Sequence, residues 1–159
     1  METVQGLFST VPLDYVFLGG FALLIALDTL RSGTGRASAI ALAFPVAAVL
    51  FSYAKEAPFL GSAISSPMLE AVAFLALGVV LFFGIRRMGL EFVSNGMGQP
   101  VQAALAGVAA TAVVAVIWMH VPALEAFWEF SPHIQSIFAA EFRLFWLLGA
   151  FGALAFARG

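Results

Sequence analysis

Cysteine is absent from the 159 residues. No disulfide, thiolate nucleophile or cysteine-ligated metal is therefore available. Charge is scarce as well. The chain carries seven basic and nine acidic residues, 10% of the total, where a soluble domain usually holds about a quarter. So few charges cannot cover a water-soluble globule of this size, but they can serve the ends of several buried spans. The formal net charge is only -2 and no basic stripe occurs, so nucleic acid is not an expected partner. No G-x-x-x-x-G-K-[ST] is present, and Gly33-Thr34-Gly35 lacks the rest of a dinucleotide fingerprint, so no nucleotide is expected either. The opening METVQGLFSTVPLD has no Lys or Arg. A secretory leader needs a positive start and a small-residue cleavage site, so the first apolar run is read as a retained span.

What the chain has in quantity is apolar surface: 62% hydrophobic residues and a mean hydropathy of +1.03. The pattern predicts one all-α domain, a polytopic transmembrane bundle of four or five spans. The first runs over about 13–30, with Thr10 as a candidate cap and Pro12 in the first turn. The turn from Arg31 to Arg36 follows, in which Gly33 and Gly35 can adopt backbone angles other residues avoid. The second span covers about 37–53, with Pro45 in its middle. A proline there frees the carbonyl of Ala41, so the helix is expected to kink and to turn that face toward protein. Ser66-Pro67 signals the start of a third span over about 68–85, closed by Arg86-Arg87. Asn95-Gly96 marks a turn before a fourth span over about 101–121. Residues 122–141 are rich in aromatics and acids and read as an interfacial segment. A last apolar stretch, 142–157, is short for a crossing. It reads either as a fifth span or as a half-inserted or packed helix.

Basic residues set the expected orientation. With five spans, Arg31, Arg36, Arg86, Arg87 and Arg158 fall on one side, against Lys55 and Arg143 on the other. The positive-inside rule then puts the N-terminus outside and the C-terminus in the cytoplasm.

Several of these residues together resemble the colicin V production protein (CvpA) family of bacterial inner-membrane proteins. Leu13-Asp14-Tyr15 opens the first span, and Arg31, Gly33 and Arg36 mark the first turn. A Gly-rich link and a fourth span ending in Trp118 follow, and Trp128-Glu129-Phe130-Ser131-Pro132 is similar to the family's Trp-x-x-Ser segment. The resemblance covers about residues 13–138. The turn here reads Arg31-Ser32-Gly33 rather than Arg-Gly, and the apolar tail after Phe142 goes beyond the family pattern. The resemblance implies a multi-pass protein of the bacterial inner membrane, tied to colicin or toxin production or export and to envelope processes, and supplies no reaction. Together with a small-residue stripe on the fourth span, it leads to the expectation of a non-enzymatic protein that acts through partner membrane proteins or self-association; no cofactor is expected.

Candidate functional residues are few. Asp28 is an ionisable group inside a span, which is costly and so asks for a partner. Arg31, three residues on, is within reach. Asp28 is either a proton- or ion-handling carboxylate of a small transporter or channel subunit, or one half of a boundary ion pair that anchors the helix. Asp14 and Glu70 are helix-start acids that complement the helix dipole. Ala103, Gly107, Thr111 and Ala115 recur every fourth residue, a small-residue stripe that permits close helix docking. Trp118, Trp128 and Trp146 read as an aromatic belt. Glu125, Glu129 and His133 are spaced by four, with His120 nearby. Pro122 and Pro132 interrupt any continuous helix through them and no HExxH occurs, so no metal site is expected. Ser131 and His133 lack a G-x-S-x-G context, and Ser131 reads as a helix cap, so no catalytic set is expected.

Overall fold

A computed structural model of the chain describes residues 12–57, 64–89 and 99–158. The expected Thr10 cap and Asn95-Gly96 turn lie outside the described residues. Within them every regular element is helical. The order is α1 (Leu13–Ser32), α2 (Gly35–Glu56), α3 (Pro67–Gly89), α4 (Pro100–His120), a 3-10 turn (Pro122–Ala126), α5 (Pro132–Ile137) and α6 (Arg143–Arg158). Helices α1 to α4 are each long and apolar enough to cross a membrane, and α6 is apolar but shorter. The chain is an all-α, multi-pass membrane bundle.

The first turn is tighter than its composition suggests. Arg31 and Ser32 still belong to α1, and Arg36 already belongs to α2. Only Gly33 and Thr34 lie between the helices. Gly33 has φ 77°, and its N–H donates to the Thr29 carbonyl at 2.8 Å, closing the end of α1. Among the described residues it is the only one with positive φ, so Gly35 does not use the freedom expected of it. Ser66 does cap α3: the Leu69 N–H donates to its hydroxyl at 3.3 Å. Helix α2 continues through Pro45, and the Ala41 backbone it frees is fully buried, as a carbonyl in lipid requires.

Packing is organised around α4. Two-thirds of its membrane-length window is buried (67%), against 17% for α1 and for α3. Its residues explain this. Ala103, Ala106, Gly107, Ala109, Ala110, Ala112 and Ala115 leave small side chains on every face, so neighbours approach from several directions. Helices α1, α2 and α6 all pack on α4, and α1 touches α4 far more extensively than its hairpin partner α2. Helix α3 flanks α2 instead. There Phe74 is fully buried, with its ring edge-on to Phe44 and Phe51 at 6.2 and 5.7 Å.

Helix α6 lies along α4. Ala150, Leu154 and Ala157 join the common core, while Leu144, Phe145, Leu148 and Phe156 are exposed. A helix lying on a membrane surface needs a charged face opposite its apolar one. Between Leu144 and Ala157 there is no charged residue. The face of α6 turned away from α4 is thus suited to lipid rather than water.

Candidate functional site

Among the described residues, the most connected polar side chain is Asp14, in the first turn of α1. Its carboxylate is buried, 6% exposed. Oδ1 accepts the Trp128 indole N–H at 2.9 Å, and Oδ2 accepts the Ser131 backbone N–H at 2.7 Å. Asp14 therefore does more than complement a helix dipole. It fastens the head of α1 to a segment more than 110 residues later in the chain. Both bonds are charge-assisted and lie away from water, where such bonds are strongest.

The sequence of that later segment makes the contact possible. Pro122 opens the 3-10 turn and Pro132 opens α5, so residues 127–131 are released from helical geometry. Their backbone groups are free to bond elsewhere. The Trp128 carbonyl accepts the Trp118 indole N–H at 3.0 Å, and the Phe130 carbonyl accepts Gln135 Nε2–H at 2.7 Å. The Trp128 ring stacks on Phe17 of α1 at 5.7 Å, and the Trp118 ring meets Phe130 edge-on. Trp146 donates its N–H to the Ile137 carbonyl at 2.8 Å. The three indoles read as interfacial anchors from sequence, but each has its N–H bound inside the chain.

Ser131 caps α5 through its backbone alone. Its carbonyl accepts the Gln135 N–H, its own N–H goes to Asp14, and its hydroxyl makes no capping bond. The hydroxyl is buried and has no partner among the described residues. His133 is exposed, with its ring 6.0 Å from Tyr15. Glu125 and Glu129 are also exposed, and among the described residues no three His, Asp or Glu side chains converge on a point.

Asp28 pairs with Arg36, not with the expected Arg31. The Asp28 Oδ1 to Arg36 Nη1 distance is 2.5 Å, and Arg31 is exposed. The reason is the short Gly33-Thr34 turn, which sets the first turn of α2 against the last turn of α1. The pair is 38% exposed on both sides, so solvent screens it and its contribution is under about 1 kcal/mol. Arg36→Ala is accordingly expected to shift the unfolding midpoint of the detergent-solubilised chain only slightly. A large shift would show that the pair is shielded from solvent rather than half-exposed. Glu70, read as a helix-start acid, also bonds Lys55 of α2 at 2.7 Å. That pairing follows from the antiparallel course of α2 and α3.

The small-residue stripe is occupied by the chain itself. Ala103, Gly107, Thr111 and Ala115 are all buried. A side chain on Gly107 would begin 2.5 Å from the Ala22 carbonyl oxygen and 2.9 Å from Ala26 Cβ. The stripe therefore seats α1 and is not a free face for another protein. Thr111 returns its hydroxyl to the Gly107 carbonyl at 2.8 Å.

The Asp14 contact was not derivable from spacing, because nothing in the local pattern marks two positions so far apart as neighbours. The one sequence signal was the set of short motifs at the two ends of the site. The chain matches no protein-family model, no curated protein and no solved structure.

Proposed function

We propose that this is a non-enzymatic inner-membrane protein of the colicin V production type, acting in toxin export or envelope upkeep through partner membrane proteins. One observation carries the reading. Two of the motifs that bear the resemblance, Leu13-Asp14-Tyr15 and Trp128-x-x-Ser131, are joined by the two hydrogen bonds of Asp14. A pair of motifs that meets in space has a shared physical reason to occur together in one chain. The test is complementation. In a bacterium that makes colicin V but lacks its own member of this family, the chain is expected to restore the zone of killing around colonies. Asp14→Ala is expected to restore it poorly. Wild-type chain that reaches the membrane in normal amount and restores nothing would overturn the reading.

The orientation belongs to the same proposal: five spans, N-terminus outside, C-terminus in the cytoplasm. The arginine distribution supports it, and so does the fully apolar exposed face of α6. Absence of cysteine makes it simple to test. A single Cys replaces Ala126 in one variant and Gly159 in another, and intact cells are treated with an impermeant maleimide. Labelling at 126 alone is expected. Labelling at both positions would mean that α6 does not cross, and labelling at neither would reverse the orientation.

A further inference from the structure

Three helices leave a cleft where α2 and α4 finish and α6 begins. Its volume is about 610 Å³, within the range of roughly 300–1,000 Å³ typical of small-molecule sites. Its walls are apolar, with Val49 from α2, Val116 from α4 and Leu144 and Leu147 from α6. Its polar groups are Ser52, His120 and Arg143.

Arg143 is the unusual member. It is half-buried, and its Nε–H donates to the Phe138 carbonyl at 3.3 Å. Among the described residues no carboxylate oxygen lies within 4.0 Å of its guanidinium. Glu125 and Glu129 share an adjoining cavity with it but do not reach it. Lys55, another base at this end of the bundle, is already paired with Glu70. A half-buried cation beside apolar walls, without a counter-charge, is costly. The planar guanidinium fork matches phosphate oxygens in particular.

We propose that this cleft holds one anionic phospholipid, with its phosphate on Arg143 and an acyl chain between α2, α4 and α6. His120 is placed to bond the rest of the headgroup, and Ser52, whose hydroxyl donates to the Val49 carbonyl at 2.7 Å, can accept from it. The charge of Arg143 selects the head, and the apolar walls accept the chain. A partner helix, about 10 Å across, would exhaust the volume in under two turns. An acyl chain is much narrower and runs its length.

The test uses the full chain in detergent, titrated with phosphatidylglycerol or phosphatidylcholine and read by native mass spectrometry. Wild type is expected to retain phosphatidylglycerol stoichiometrically and in preference to phosphatidylcholine. Arg143→Gln should lower phosphatidylglycerol retention about five- to tenfold, and Arg143→Lys should recover part of it. Val49→Trp fills the cleft while leaving Arg143 in place, and should lower retention of both lipids. Equal retention of the two lipids by wild type would overturn the proposal. So would a Val49→Trp variant that loses a dimer while keeping its lipid, because the cleft would then belong to a second copy of the chain. Helical circular dichroism and elution volume check folding. If Arg143→Gln fails them, the wild-type preference and Val49→Trp decide.

Discussion

Gly107→Leu is expected to separate α1 from α4 and to destabilise the bundle by more than about 3 kcal/mol. Even a single methyl group at this position would lie 2.5 Å from the Ala22 carbonyl oxygen and 3.0 Å from the Ala26 backbone nitrogen. Both obstacles are backbone atoms, so no rotamer change relieves the clash, and α1 must back away as a unit. Leucine adds three more carbons to the same gap. In lipid there is little hydrophobic force to hold the helices together at a greater separation, because acyl chains are as apolar as the side chains they replace. Each helix keeps its own backbone hydrogen bonds, so helicity should survive while tertiary structure is lost. The measurement is denaturant unfolding of the solubilised chain, followed by tryptophan fluorescence and far-UV circular dichroism. Gly149→Ala is the control. A side chain there meets nothing within 4 Å, so it should be neutral or slightly stabilising. If Gly107→Leu and Gly149→Ala unfold at the same midpoint, α1 does not pack on α4 as described.

Asp14→Ala is the second large effect, expected at about 2–5 kcal/mol. It removes both acceptors at once and leaves the Trp128 indole N–H and the Ser131 backbone N–H without partners at a buried site. The loss should be local to one end of the bundle. Proteolytic cutting within residues 121–131 should rise, while the contact around Gly107 is kept. Asp14→Asn should fall between wild type and alanine. Its one oxygen can take the place of only one carboxylate oxygen, and its amide nitrogen then faces the other donor. Trp128→Phe keeps a ring against Phe17 and removes one donor, so about 1–2 kcal/mol is expected. Unchanged protease sensitivity in Asp14→Ala would show that the clamp does not hold this segment.

The unequal legibility of these features has physical causes. Ser66 could be read as a cap because a cap satisfies backbone groups only three residues away. Arg31 was the partner legible for Asp28 because three residues along a helix is within reach; Arg36, eight residues on, becomes the partner only because two residues suffice for the turn. The small-residue stripe was visible as a place of close approach, but not which helix approaches. Spacing on one helix carries no information about its neighbour. The cleft around Arg143 draws on three helices and had no signature at all, since Ser52, His120 and Arg143 are ordinary residues at helix ends.

Composition alone determined the solvent. Sixty-two per cent hydrophobic residues and so few charges leave no way to face water, and in a bilayer apolar runs of about 18–20 residues satisfy their backbone as helices. Length and punctuation determined the four long helices and roughly where they turn, and left residues 142–157 open. Only the tertiary structure decided that α4 is the centre, that α1 packs on it rather than on α2, and that Asp14 reaches across the chain to Trp128 and Ser131. Helix formation is local, governed by groups a few residues apart. The choice among apolar helices in an apolar solvent is made by fit, at points such as Gly107, and by the few polar groups that must find one another.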